Sequence, residues 1–246
     1  KYFVERIGGP WVIVESLIRE GQNPATYNLS PKQMIRLSKS LAFFCIGVPF
    51  ESIWVPRIVS ANQNMLVFDT HKGVPLIEMQ NMLGHGSLHK KVLAFSQREN
   101  VIKDPHIWTD PKIVKIVAKN IKNGLIKLIP NRRKHFEINY ANFVKDLNSL
   151  DRQIKETLRF VHQRRLLVFH PAWGYFAKAY GLIQIPIEIE GKEPSSRSLG
   201  KILELGKELK VKVIFVQKQF SKTAAQKIAR ALGARVEVVD PIAENY

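Results

Sequence analysis

Short β-branched runs alternate along this chain with longer stretches of helical period, the pattern of βα units on a largely parallel sheet. Runs at 11–17, 41–46 and 64–68 read as strands in the first half, and 166–169, 211–217 and 235–239 in the second. Helical signals fall between them. Ser30 stands as N-cap before Pro31, with Gln33 three residues on to complete a capping box, and this helix gives way near Ser40. Asp110 caps a second helix at Pro111, whose apolar positions Ile113, Val117, Ile121 and Leu125 recur at helical spacing. Later helices are predicted around 173–180, over 198–209 and over 222–232, the last between a Ser221 cap and a Gly233 stop.

One segment differs from the rest. Tyr140, Phe143, Leu147, Leu150, Ile154 and Leu158 keep a three-four apolar repeat without Gly or Pro, so 136–160 is predicted as a single helix. At about 1.5 Å per residue it would run roughly 35 Å, long enough to be a stiff strut. The predicted fold class is therefore α/β with two lobes, 1–135 and 161–246, each a mostly parallel sheet flanked by helices, joined by one long rigid helix. The stretch 70–103, rich in Gly, Lys, Asn and His, is the least regular, and long loops of this kind are usually functional or mobile.

Composition narrows the class without changing the architecture. A chain of 246 residues is long enough for two domains of about 100 to 150 residues. Its 45% apolar and 24% charged content is that of a globular protein, not of a disordered or fibrous one. No apolar run reaches the roughly 18 to 20 residues of a transmembrane helix. Lys1-Tyr2-Phe3 leads into folded-looking sequence with no signal peptide, so the expectation is either a cytosolic protein or a mature fragment. The single cysteine, Cys45, excludes an internal disulfide framework and a Cys-cluster zinc site, and reads as a buried, inert thiol. A formal charge of +17 would attract nucleic acid or anionic lipid. Lys and Arg are spread over nearly every segment, however, with local clusters only at Arg132-Arg133-Lys134 and Arg164-Arg165, which describes a solvated basic surface.

The candidate chemistry lies at strand ends. His170 and Asp240 each follow an apolar strand and each precede a proline, which places them at carboxyl ends of strands, the edge where open α/β sheets bind ligands. His106, in the turn Asp104-Pro105-His106, falls in the first lobe by sequence order. Two imidazoles and a carboxylate suit a borderline divalent metal such as zinc, and equally a 2-His-1-carboxylate iron set. A hydrogen-bonded core histidine and an Asp-Pro turn are the plainer readings of the same residues.

Five segments together decide more than the spacing does: 104–111, 169–181, 191–197, 219–221 and 233–241, with Ile7-Gly8-Gly9, 27–31 and 47–54 in the first half. In order and over almost the whole chain, they resemble the zinc and manganese solute-binding receptors of ABC-type uptake systems. The resemblance implies two α/β lobes joined by one rigid helix, and a helix over 2–9 preceded in the family by a strand that would lie before this sequence. It implies His106, His170 and Asp240 as metal ligands drawn from both lobes. It implies a metal cargo, zinc ahead of manganese, passed to a membrane permease by a monomeric, extracytoplasmic and often lipid-anchored protein. The basic surface would then face anionic lipid headgroups.

Two departures stand out. Family members carry Asp-Pro-His ahead of the motif's tyrosine, and that histidine is the fourth ligand; here Gln22-Asn23-Pro24-Ala25-Thr26-Tyr27 places Ala25 there. The fourth position is then filled by water or by His85 or His89 of the histidine-bearing loop, or the site is weak or selects another metal. Gln217-Lys218 stands where the family often has Glu-Pro. His71, His135 and His162 are assigned to surface or packing roles, and Trp108, Trp173, Tyr175 and Phe176 to core and cleft walls.

Nothing marks an enzyme, because the chain has no GxSxG elbow, Walker loop, HExxH pair or Cys nucleophile. A metal-dependent hydrolase remains the catalytic alternative, and a basic nucleic-acid or membrane-surface binder the third reading, although no nucleic-acid module is visible.

Overall fold

The computed structural model describes residues 1–18, 22, 27–79, 103–188, 195–220, 222–243 and 246, with the backbone alone at 196 and 197. Contacts divide the chain into two compact units, one of Lys1–Pro75, Asp110–Thr157 and Ala243–Tyr246, the other of Leu76–Thr109 and Leu158–Ile242.

In the first unit α1 (Tyr2–Gly8) packs on α4 (Pro111–Leu128), and α2 (Pro31–Leu37) on α3 (Pro49–Ala61). Both predicted caps form. Ser30 accepts from Gln33 N while the Gln33 side chain returns to the Ser30 backbone, and Asp110 accepts from Lys112 N at 2.8 Å. Strands β1 (Ala42–Cys45) and β2 (Leu66–Asp69) pair in parallel. Gly124 of α4 lies flat on this pair, where a Cβ would come within 2.9 Å of the Phe44 ring. The long helix, α5, runs Arg133–Leu158, 26 residues, and buries Phe136, Phe143 and Leu147. It starts three residues before the predicted boundary, and by its contacts it belongs to the first unit as far as Thr157.

Two expectations for this unit need correction. The 11–17 run is not a strand. Gly9–Trp11 is a 3-10 turn, and although Val12 is extended and burial alternates onward from it, Ile13 is 99% exposed and no neighbouring strand pairs there among the described residues. A period of two supplies only half of a ladder. The helix α3 was not anticipated either, because Pro49 and Pro56 punctuate its sequence; Pro49 takes the first helical position, where the missing N–H costs nothing.

The second unit holds a four-stranded parallel sheet in the order β4-β3-β5-β6, with β3 Arg165–Val168, β4 Ile183–Pro186, β5 Val213–Val216 and β6 Arg235–Val238. Helices α6 (Gly174–Tyr180), α7 (Ser196–Glu208) and α8 (Lys222–Leu232) connect them. Leu167, Phe169, Ile185, Ile202, Ile214, Val216 and Ile228 are buried in one core. Strand β4 escaped the sequence reading because Pro186 interrupts its apolar run; it is an edge strand, the place where a sheet tolerates proline. Gly233, at φ 62°, ends α8 as expected, while the proposed Ser221 cap lies outside the described residues.

The segment carrying His106 belongs with this unit, not with the first lobe that sequence order suggested. Its hydrogen bonds explain why. Asp104 N donates to Ile77 O, the Tyr175 hydroxyl donates to Asp104 O and accepts from Ile77 N, and Trp108 Nε1 donates to Pro241 O at 2.6 Å.

Candidate metal centre

The carboxyl edge of the second sheet delivers a row of polar residues. Two residues beyond β3 comes His170, two beyond β4 Glu188, directly after β5 Gln217 and Lys218, and two beyond β6 Asp240. Continuing the parallel register sets 170 level with 188 on one side and 217 on the other, and 218 level with 240. Gln217 is buried and clamps the His170 backbone, its Oε1 accepting from His170 N at 3.2 Å and its Nε2 donating to His170 O at 2.8 Å. Phe220 stacks on the His170 ring at 5.0 Å. His106 arrives from the turn before the 3-10 helix Ile107–Thr109, where Asp104 Oδ1 accepts from the His106 backbone at 2.9 Å.

Both imidazoles are held by their Nδ1 atoms. His106 Nδ1 lies 2.7 Å from Asp104 Oδ1, and His170 Nδ1 lies 2.5 Å from Glu188 Oε1. A carboxylate accepts only, so each Nδ1 carries a proton and Nε2 is the nitrogen each ring turns to the site. Those two Nε2 atoms face each other at 3.2 Å. Two lone pairs at that distance repel unless a cation stands between them. Metal–nitrogen bonds of about 2.0 to 2.1 Å in a tetrahedral shell put neighbouring nitrogens roughly 3.3 Å apart. The gap is also that of an N–H···N hydrogen bond, so proton and metal compete for one position. Burial pushes His106 below the ordinary histidine range, against the pull of Asp104, and that favours the neutral ligand form.

The structure brings the two histidines together but does not bring Asp240 to them. Asp240 Oδ1 accepts from Ile242 N at 3.0 Å, and Oδ2 lies 3.5 Å from Lys218 Nζ. Among the described residues no group of three His, Cys, Asp or Glu side chains is arranged to hold a metal ion. Ala25, His85 and His89 lie outside the described residues. His71 contacts Asp69 at 2.6 Å, His135 packs on the Trp11 ring, and His162 is exposed, all as the sequence suggested. Cys45 is only half-buried, yet burial with Glu51 and Asp69 nearby pushes its thiol up to about 12, so it is inert.

Four residues that the sequence reading did not assign turn out to shape the site: Asp104, Glu188, Gln217 and Phe220. For Asp104 a signal existed, since Asp-Pro-His places a carboxylate two residues ahead, in reach of the histidine backbone and ring. Glu188 is the first of several acids after the mostly apolar run 182–187, and only the β3–β4 pairing shows whom it faces. The side chain of Asp104 fits because residue 174 is glycine; a Cβ there would collide with Asp104 Oδ2.

Comparison with known proteins gives one consistent pattern. The family model described as "Zinc-uptake complex component A periplasmic" matches residues 1–246. The chain is 29% identical over 233 residues to the high-affinity zinc uptake system protein ZnuA of Bacillus subtilis (strain 168), covering 93% of this chain and 71% of that protein. It is 26% identical over 246 residues to a putative metal-binding protein of Chlamydia trachomatis serovar D, covering 100% and 82%. A crystal structure of ZnuA superposes with a TM-score of 0.88 at 37% identity, over 98% of this chain and 88% of that one. A zinc-bound deletion mutant of ZnuA gives 0.87 at 37%, over 98% and 86%.

Proposed function

Because the chain belongs to the family of periplasmic zinc-uptake component A proteins, we propose that it is the metal-capturing receptor of an ABC-type importer, taking a divalent transition metal at His106, His170 and Asp240. The observation that carries this reading is the pair of Nε2 atoms facing each other at 3.2 Å, each imidazole fixed through Nδ1 by a buried carboxylate. That is the arrangement in which metal-ligating histidines are usually held, the carboxylate setting the tautomer and raising ligand basicity. Two imidazoles with one carboxylate favour zinc over manganese, which prefers an all-oxygen shell. Water, His85 or His89 fills the remaining position, since Ala25 offers no donor.

Relatives named for zinc uptake and zinc binding support zinc as the cargo. The cargo is passed to a membrane permease outside the cytoplasm, where the basic surface suits anionic headgroups. A binding role is also favoured over hydrolysis, because Asp104 and Glu188 are committed to imidazole Nδ1 atoms and neither is free to act as a general base.

Elemental analysis of protein dialysed against buffered zinc, beside His170→Ala and Asp240→Ala, tests the reading. Stoichiometric zinc is expected in the wild type, with loss in the first variant and a marked reduction in the second. A wild type that retains no divalent metal sinks the proposal.

A further inference from the structure

We propose that Lys218 is an affinity-setting counter-ion: it holds the Asp240 carboxylate that the metal has to recruit, so that capture exchanges one cation for another. The inference rests on the metal-binding reading above and adds a residue to it.

The parallel register of β5 and β6 pairs Val216 with Val238 and, two residues on, sets Lys218 level with Asp240. Lys218 Nζ stands 3.5 Å from Asp240 Oδ2. The two ends of this pair differ in environment, the aspartate side chain being 8% exposed and the lysine side chain 49%. Asp240 Oδ1 is used by Ile242 N, whereas Oδ2 is buried and makes no hydrogen bond among the described residues. A buried carboxylate oxygen without a donor is costly, and a nearby positive charge is what relieves it.

A lysine suits an exchangeable role. Its ammonium is a point charge on a flexible four-carbon stem, able to swing into water when a divalent ion takes the oxygen. A half-exposed ion pair of this kind is weak, enough to seat the carboxylate and small enough to be displaced. The consequence is an affinity below what the ligands alone would give. On release, Asp240 regains a partner.

Zinc affinity measured by competition with a chromophoric chelator in Lys218→Met, Lys218→Arg and wild-type protein, each with and without Asp240→Ala, tests this. Lys218→Met should bind zinc about two- to fivefold more tightly, with a larger gain at low salt. Lys218→Arg should stay near the wild type. In the Asp240→Ala background the gain from Lys218→Met should vanish. The idea is overturned if Lys218→Met binds zinc equally or more weakly, or if its gain persists without Asp240, which would mean general charge repulsion. Metal-free melting curves establish that each variant folds, and Lys218→Gln replaces the methionine variant if that one does not. A wild type without zinc affinity overturns the metal-binding reading and this inference together, whereas a zinc-binding wild type unaffected by Lys218→Met overturns this inference alone.

Discussion

His106 and His170 each spend one nitrogen on a carboxylate so that the other is left bare, and the site's chemistry follows from that division. Asp104 and Glu188 do not need to touch a metal to matter: they fix which nitrogen is offered and hold each ring by a bond of 2.7 or 2.5 Å. Their second oxygens, Asp104 Oδ2 and Glu188 Oε2, are buried and make no hydrogen bond among the described residues. Asp104→Asn and Glu188→Gln should each weaken zinc binding by about 10- to 100-fold. A competition titration that finds wild-type affinity in both would reduce these carboxylates to packing.

At the scale of elements, the site is an edge rather than a motif. Four parallel strands end together, and the residues that follow them fall into line because the register is shared. Gln217 shows how tightly the edge is built, since one buried amide satisfies both backbone groups of His170. Gln217→Ala would leave the buried His170 N–H without its acceptor, while His170 O keeps Ala172 N, so denaturant unfolding of the metal-free protein should show a loss of about 1 to 3 kcal/mol. An unchanged midpoint would mean that water replaces the amide without loss. Residues 76–79 and 103–109 are tied to this edge through Tyr175 and Trp108, which brings all three proposed ligands into one contact unit where two lobes were expected to share them.

For the whole molecule, the buried imidazole of His106 links stability to pH. Burial lowers its affinity for protons in the folded state, while in the unfolded chain it returns to an ordinary value of about 6.5. Between those two values the unfolded chain binds more protons, so this contribution is intact above about pH 6.5 and is lost as pH falls toward the folded value. Zinc taken at the proposed site would act in the same direction, since ligating imidazoles must be unprotonated. At 100 times its dissociation constant zinc should add about 2.7 kcal/mol near neutrality, and less as the solution is acidified. Denaturant unfolding across pH, with and without zinc, reads both effects. A zinc increment that does not shrink on acidification would show that the histidines are not the ligands.

Much of this was legible in the residues themselves. Helix caps at Ser30 and Asp110, the period of α4 and α5, and the strands of the second sheet other than β4 depend on neighbours a few positions apart, and local sequence records such neighbours directly. So does the placement of His170 and Asp240 after strands. What the sequence could not record was who stands opposite whom. The run at 11–17 found no pairing strand among the described residues, Pro186 sat harmlessly at an edge, Glu188 met His170 only through the β3–β4 register, and Asp240 met Lys218 rather than the histidines. Pairing across a sheet joins residues tens of positions apart, so it is decided by the packing of the whole unit. The nature of the proposed ligands was therefore written in the chain, while their orientation and competing partners were set by the fold.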